Sequence, residues 1–151
     1  MPLPKSLRNR VRQRAQFQCE YCHYPEILST APLSVDHIQP RSLMGTDDFG
    51  NLALACRRCN ERRYNFTAAI DPQTGIESPL FNPRCHTWGE HFIWSQNALC
   101  IMGVTPIGRA TCMRLDLNDD RRPDKFIQKS REQWLKGGFH PPSADPQLSK
   151  S

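Results

Sequence analysis

The chain has 151 residues and a formal net charge of +5, from 20 Lys and Arg against 15 Asp and Glu. This length fits one domain, or a small module with an extension packed on it, and the lack of any run of about 18 apolar residues excludes a membrane-spanning helix. The positive excess is concentrated in residues 1–70, which hold 10 basic and 6 acidic side chains, whereas residues 71–151 hold 10 and 9.

A basic helix is predicted over residues 5–17, because Leu7, Val11 and Ala15 recur at helical spacing and form a narrow apolar stripe. The first 14 residues carry five basic side chains and lack the apolar core of a signal peptide. We therefore expect a cytoplasmic protein whose thiols stay reduced.

Two Cys-x-x-Cys pairs, Cys19/Cys22 and Cys56/Cys59, form the strongest motif of the chain. Two intervening residues let a tight turn, here called a knuckle, aim both sulfurs at one point, and two such pairs suit one tetrahedral Zn²⁺ ion. Two disulfides or four buried free thiols are the alternatives, and ligand type alone does not separate iron from zinc. The spacing favours a structural zinc site.

The segment between the pairs predicts two short strands. Residues 33–38 alternate apolar and polar side chains as a half-buried strand does, and residues 52–54 form a short apolar run. Residues 41–51, with two glycines and two aspartates, have the composition of a loop. A helix is expected over residues 60–66, directly after the second knuckle.

A turn at residues 71–75 marks the predicted boundary between a core of residues 1–70 and a β-rich extension of residues 71–139 packed on it. Alternating apolar side chains predict a three-stranded antiparallel β meander in the extension, from Phe92 and Trp94, from Leu99 and Ile101, and from Met113, Leu115 and Leu117. The predicted fold class is therefore α+β.

A terminal helix is expected to follow the meander. Pro123 can occupy its first turn, Phe126, Ile127, Trp134 and Leu135 share one face, and Gly137-Gly138 would stop it. Residues 140–151 are rich in Pro and Ser and are predicted to form a disordered tail.

The Asp36-His37 dipeptide is a candidate reaction centre. Hydrolysis of a phosphodiester requires a nucleophilic water, a counter-charge for the phosphate oxygens and help for the leaving alkoxide. His37 would be the general base, because imidazole titrates near neutral pH. Asp36 and Asn60 offer oxygen ligands that suit Mg²⁺ or Mn²⁺. An Asp-His pair alone carries little weight, but its position between two knuckles strengthens the hypothesis.

These motifs together resemble the HNH endonuclease family over roughly residues 8–66. The resemblance rests on Cys19-x-x-Cys22, Asp36-His37-Ile38-x-Pro40-x-Ser42, Asn51-Leu52-x-Leu54 and Cys56-x-x-Cys59-Asn60. It implies a ββα-metal fold, in which two strands and a helix hold one catalytic divalent cation, and products ending in 5′-phosphate and 3′-hydroxyl.

The resemblance also implies a role for each matching residue. His37 would be the general base, Asp36 and Asn60 the metal ligands, and Asn51 the loop residue that steadies His37 and the backbone around it. The chain departs from the family where Met44-Gly45 replaces two glycines, and where Arg63 replaces a frequent Lys. Asn60 stands where many members carry His, which leaves the choice of metal open.

Arginines cluster around the second knuckle and are candidates for binding a phosphate backbone, since guanidinium groups match phosphate oxygens bidentately. They are Arg41, Arg57, Arg58, Arg62 and Arg63. A solvated helix face would explain any one of them equally well. As a group they favour a nucleic-acid partner.

The sequence thus predicts a metal-dependent HNH endonuclease that hydrolyses DNA, with RNA left open as a substrate. A zinc-containing nucleic-acid-binding module without catalysis is the first alternative, although binding alone needs none of Asp36, His37, Asn51 and Asn60. A toxin-type nuclease is the second alternative.

Overall fold

A computed structural model of the protein describes residues 2–143 and residue 145. The chain divides into two units, one of Met1–Thr67 with Asn82–Cys85, the other of Ala68–Phe81 with His86–Ser151. None of the helices in the described part of the chain is long and apolar enough to cross a membrane.

Helix α1 (Lys5–Arg14) opens the first unit. Val11, on its apolar stripe, is completely buried. Arg12 and Arg14 occupy the last turn, where positive charges interact favourably with the helix dipole. The Arg14 guanidinium lies 3.7 Å above the ring of Phe49 and donates a hydrogen bond of 2.7 Å to the Phe49 carbonyl oxygen. Arg14 thus joins the helix to the loop before the second strand.

Strands β1 (Ser34–His37) and β2 (Leu52–Ala55) pair antiparallel, with Asp36 opposite Ala53 and His37 opposite Leu52. Every residue of β2 is buried. Helix α2 (Arg57–Arg63) follows directly, and three-residue 3-10 turns at Arg41–Leu43 and Phe49–Asn51 interrupt the long loop. The predicted order of strand, loop, strand and helix is confirmed, but α2 begins inside the second knuckle and ends at Arg63, whereas the sequence predicted a helix over residues 60–66.

The loop between β1 and β2 closes tightly on itself at Gly45. A Cβ atom at this position would lie 1.7 Å from the Gln39 carbonyl oxygen, so only glycine fits. Met44, which precedes it, adopts a left-handed backbone conformation with φ of 68°. The loop therefore has room for one of the two glycines of the family pattern to be replaced, but not for both.

The second unit contains two antiparallel strand pairs. Strand β3 (Ala68–Ile70) pairs with β4 (Glu77–Pro79), and β5 (Phe92–Trp94) pairs with β6 (Ile101–Gly103), with helix α3 (Trp88–His91) just before β5. Asp71, in the turn after β3, accepts two hydrogen bonds of 2.9 Å from Arg109, which lowers the pKa of its carboxyl to about 2. The predicted α+β class, with antiparallel strands in the extension, is confirmed.

The third strand of the predicted meander is wrong, because residues 106–115 form helix α4 (Pro106–Leu115). The Thr105 hydroxyl accepts a hydrogen bond of 3.0 Å from the Gly108 amide, and Pro106 occupies the first turn of the helix. These are standard features of a helix start. Met113 is 48% exposed and Leu115 is buried, because side chains two residues apart lie on opposite sides of a helix, so their alternation does not mark a strand here.

Helix α5 (Phe126–Lys136) ends at Gly137, as expected, but begins three residues after Pro123. Its buried face holds Ile127 and Trp134, whereas Phe126 is 58% exposed and lies outside that face. The Asp119 carboxylate accepts a 2.7 Å hydrogen bond from the Ile127 amide and so supports the first turn.

The start of the predicted disordered tail is ordered. His140 is buried against two tryptophan rings, at centroid distances of 4.2 Å from Trp94 and 5.2 Å from Trp134. The Asp145 carboxylate accepts a hydrogen bond of 2.8 Å from the Trp94 indole. The remainder of that prediction, Ala144 and residues 146–151, lies outside the described residues.

Candidate nuclease site

The four cysteines of the two knuckles meet in the interior of the first unit. Cys19, Cys22, Cys56 and Cys59 are all buried, and their sulfur atoms lie within 4.8 Å of one another. The first knuckle is tied to β2 by two hydrogen bonds, from the Glu20 amide to the Leu54 carbonyl at 2.8 Å and from the Leu54 amide to the Glu20 carboxylate at 2.7 Å. This pairing brings the first knuckle to the second, which follows β2.

The donor set and its spacing fit one tetrahedral zinc ion. A Zn–S distance of about 2.3 Å places tetrahedral sulfurs about 3.8 Å apart, and the Cys22 and Cys56 sulfurs are separated by 3.6 Å. Burial raises the pKa of the Cys19 thiol, whereas hydrogen bonds from the neighbouring thiols lower that of Cys22. A bound cation would deprotonate all four thiols. The four cysteines could therefore hold one structural metal ion, and zinc suits their geometry.

Asp36 lies in the interior at the end of β1, with 6% of its surface exposed. Its Oδ2 atom accepts hydrogen bonds of 2.9 Å from both the Tyr21 hydroxyl and Arg63 Nη1. Burial raises the pKa of the Asp36 carboxyl, and the Arg63 charge opposes that effect. Oδ1 receives no hydrogen bond from the residues that the structure describes, so this oxygen is available to a cation.

Arg63 corrects one sequence prediction, because it is not a surface residue that could bind a phosphate backbone. Only 2% of it is exposed, and its guanidinium donates to Asp36, to the His37 carbonyl at 3.2 Å and to the Ile38 carbonyl. An arginine can be buried in this way only when a carboxylate and carbonyl oxygens surround it. Arg63 therefore fixes α2 against the end of β1 and supports the cleft from the buried side of these two elements.

His37 lies next to Asp36 at the end of β1, with 16% of its side chain exposed. Its Nε2 atom is 2.7 Å from Oδ1 of Asp47, a residue of the long loop that is not among the predicted site residues. Arg41 Nε donates a hydrogen bond of 3.0 Å to the same oxygen, and Arg41 Nη2 lies 2.9 Å from it in an ion pair. The loop thus contributes both a carboxylate and a guanidinium to the surroundings of His37.

Asn51 holds the two ends of that loop together. Its side-chain nitrogen donates to the carbonyl oxygens of Gln39 at 3.0 Å and Thr46 at 2.8 Å, and its side-chain oxygen accepts from the Gln39 amide at 2.9 Å. Its backbone carbonyl accepts from the Ile38 amide at 2.9 Å. All four bonds involve the backbone next to His37 or the loop that carries Asp47.

Asp36, His37 and Asn60 line one surface cleft of about 430 Å³. The Asn60 backbone forms helical hydrogen bonds with Cys56 and Tyr64, whereas its side chain makes none with the described residues. The cleft is completed by Val35, Pro40, Arg41, Ser42, Glu61, Tyr64 and Asn65. Residues from β1, α2 and the loop therefore line one cleft, which brings together an imidazole, carboxylate and amide oxygens, and the guanidinium of Arg41.

The basic side chains around the cleft differ in their positions. Arg41 is exposed in its wall. Arg8 of the basic helix α1 lines a second cleft of about 370 Å³, which shares His37 and Asn60 with the first. Arg57 is 89% exposed on its side chain and pairs with Glu61 at 2.8 Å. Arg58 and Arg62 are half-buried.

Three residues of the site were missed from the sequence. Tyr21 lies within the first knuckle, Asp47 within a loop of polar composition, and Arg8 on a helix distant in the chain. Tyr21 and Arg8 carry no sequence signal for their roles. Asp47 carries one, because it is an acidic residue ten positions after a candidate base in a loop whose ends must meet for β1 and β2 to pair.

Comparison with known protein families gives a match over the part of the chain that carries this cleft. Residues 19–66 match the family model described as HNH endonuclease. The matched segment begins at the first knuckle, ends after α2 and contains Asp36, His37, Asn51 and Asn60, so the resemblance predicted from the sequence is confirmed over it. Searches of curated proteins and of solved structures gave no match to the chain.

Proposed function

We propose that the protein, whose residues 19–66 match the HNH endonuclease family, is a metal-dependent endonuclease that hydrolyses phosphodiester bonds of DNA. The observation that carries the proposal is the joint position of Asp36, His37 and Asn60 in one cleft, beside the buried four-cysteine cluster. Binding of a nucleic acid alone would require none of these three side chains.

His37 is the general base in this proposal. Its ring lies at the cleft surface, half-buried, where it can accept a proton from a water molecule held near a phosphate group. General-base catalysis by a positioned imidazole contributes typically 10² to 10⁴ in rate, an order-of-magnitude estimate. Asn51 supports the residue, because it fixes the backbone that follows His37.

Asp36 and Asn60 are the proposed ligands of the catalytic cation. Oδ1 of Asp36 and the amide oxygen of Asn60 carry no hydrogen bond from the described residues, and both are oxygens of the kind that Mg²⁺ and Mn²⁺ prefer. A divalent cation held there would offset negative charge on the phosphate and on the leaving oxygen. The same cation would offset the unfavourable burial of the Asp36 carboxylate.

The DNA backbone would enter between α1 and the long loop. Arg8 and Arg41 line the second cleft together with His37 and Asn60, so a phosphate group near the base has two guanidinium groups within the same wall. Such contacts hold the backbone without reading its sequence. Arg57, exposed on α2, extends the positive surface.

Supercoiled plasmid DNA tests the proposal, because a closed circle has no ends and its nicking requires an endonuclease. The purified protein is incubated with the plasmid in Mg²⁺, in Mn²⁺ and in excess chelator, beside a mock purification that controls for contaminating nuclease. We expect nicked or linear DNA with either cation and none with the chelator. Resealing of the nicks by DNA ligase would indicate 5′-phosphate and 3′-hydroxyl ends.

Two outcomes would redirect the assignment. Binding of DNA without cleavage in any divalent cation would favour the non-catalytic zinc-containing module. Cleavage of a structured RNA with the plasmid left intact would keep the nuclease chemistry and reject DNA as the substrate.

A further inference from the structure

We propose that Asp47 is a positioning residue, which fixes the orientation and the tautomer of His37 so that Nδ1 is the nitrogen that accepts the proton of the attacking water. This inference rests on the proposed function, and it assigns a role to a loop residue outside the metal ligands. The observation behind it is the 2.7 Å contact between His37 Nε2 and Asp47 Oδ1.

The chemistry of the contact settles which atom is the donor. Asp47 Oδ1 also accepts a hydrogen bond from Arg41 Nε and forms an ion pair with Arg41 Nη2, and the hydrogen bonds from His37 and Arg41 lower the pKa of the Asp47 carboxyl. An ionised carboxylate can only accept, so the hydrogen lies on Nε2 of His37. In the neutral ring the lone pair is then on Nδ1, which has no hydrogen-bond partner among the described residues.

Hydrogen bonds and close packing in the loop hold Asp47 beside His37. Asn51 donates to the Thr46 carbonyl oxygen at 2.8 Å, directly before Asp47, and to the Gln39 carbonyl oxygen at 3.0 Å, just after His37. Close packing at Gly45 removes further freedom, since no larger residue fits there. Asn51 thus fixes the positions of Asp47 and His37 relative to each other, because it binds the backbone next to both residues.

A purely structural role does not account for the contact. The side chain of Asp47 is 51% exposed and that of Arg41 is 44% exposed, and ion pairs so exposed contribute little to stability. The pair instead resembles the arrangement by which carboxylates set the tautomer of a histidine that acts through its other nitrogen. Arg41 in turn holds the carboxylate against the ring.

The opposite role for Asp47 makes a different prediction. If Nε2 were the nitrogen that takes the proton, Asp47 would obstruct it, and removal of the carboxylate would speed up cleavage. The two roles therefore differ in the sign of the effect of Asp47→Ala.

The first test reads the tautomer directly and needs no activity. Protein labelled with ¹⁵N at histidine, retaining its purified metal and without added Mg²⁺, is studied by NMR at mildly alkaline pH, and the His37 signals are assigned by their loss in His37→Gln. We expect hydrogen on Nε2, in a hydrogen-bonded resonance that Asp47→Ala abolishes. Hydrogen on Nδ1 in the parent protein would overturn the proposal, even if the parent proved to be an inactive binding module.

The second test measures single-turnover cleavage and DNA affinity. We expect Asp47→Ala to lower the rate by roughly 10 to 100-fold, the scale for loss of a carboxylate that orients a functional histidine, with affinity for DNA unchanged. Asp47→Asn, which keeps an acceptor oxygen, should retain more activity. Asp48→Asn, the neighbouring acid bonded to Thr46, is the control and should cleave at the parent rate.

A double variant tests whether Asp47 affects the cleavage rate through His37. Because Asp47 is proposed to act through His37, adding Asp47→Ala to His37→Ala should cause no further loss of rate. A further loss of the same size as in the parent background would mean that Asp47 acts elsewhere, for example on the cation, and an increase of rate in Asp47→Ala alone would make it an obstruction. Either result overturns the proposal.

Discussion

Arg63 Nη1 lies 2.9 Å from Asp36 Oδ2, and both side chains are almost inaccessible, with 2% and 7% of their surface exposed. The ion pair joins the last turn of α2 to the end of β1 directly beneath the cleft. Asp36 therefore has two functions in this account, because one oxygen holds the helix in place and the other faces the proposed cation. A substitution of Asp36 disturbs both.

Arg63→Ala is expected to destabilise the first unit strongly. The change leaves the Asp36 carboxylate buried without its partner, and the loss of one member of a buried ion pair costs about 3–5 kcal/mol. Arg57→Ala, in the same helix but exposed, should leave stability nearly unchanged. Denaturant unfolding of the two variants checks this, and equal midpoints would show that the Arg63 pair contributes no stability.

Asn60→Ala should separate metal use from folding. Its side chain makes no hydrogen bond with the described residues, so the variant should have the same free energy of unfolding as the parent. Cleavage by the variant should require a higher concentration of divalent cation. Excess Mn²⁺ should partly restore the rate. The measurement is the cleavage rate as a function of cation concentration, and a parent-like curve would remove Asn60 from the ligand set. Asp36→Ala is a poorer probe, because it also leaves the buried Arg63 guanidinium without its carboxylate partner.

The four-cysteine cluster predicts about one tightly bound zinc per chain in protein purified without added metal. Binding to such a site supplies folding free energy, so removal of zinc should unfold the first unit. Elemental analysis and circular dichroism of the parent and of Cys56→Ser test this. Cys85→Ser, an exposed cysteine outside the cluster, is the matched control and should keep its zinc. A folded, zinc-free Cys56→Ser protein would contradict a structural role of the metal.

Arg8 is expected to contact a phosphate of the bound DNA. Affinity for duplex DNA should fall with salt by a slope of about −0.9 for each neutralised phosphate, and Arg8→Ala should flatten this slope by about one unit. The double change of Arg57 and Arg58 to Ala should flatten it by about one to two units. Arg122→Ala, in the second unit, serves as the control and should leave the slope intact. Binding titrations over a range of salt concentrations measure it.

The sequence predicted the parts of the site that depend on spacing. Two knuckles around the Asp36-His37 dipeptide give the strand pair and the helix, because each Cys-x-x-Cys turn fixes where the flanking elements begin. The burial of Arg63 could not be derived in this way, since its surroundings depend on how closely α2 packs on β1. The sequence offered one indication, because the family often carries Lys at this position and so favours a basic side chain there.

The extension was harder to predict because it has no metal motif to fix its elements. Apolar alternation at Met113, Leu115 and Leu117 matches the period of a strand, yet Met113 and Leu115 lie on opposite sides of α4 and Leu117 lies beyond its end. The deciding signal was Thr105-Pro106, a capping hydroxyl followed by proline at the first helical position. The contact of Asp47 with His37 likewise depends on a loop closure that no periodicity encodes.

Single-turnover cleavage by His37→Ala is the most direct test of the account. The parent and the variant are compared on the same supercoiled plasmid in saturating Mg²⁺, with zinc content, thermal unfolding and DNA affinity measured on both samples. If His37 is the general base, the variant should cleave at least roughly 10²-fold more slowly than the parent, the scale for a lost general base, with the other three properties unchanged. Cleavage by His37→Ala at the parent rate would contradict it, because the active site would then lie elsewhere.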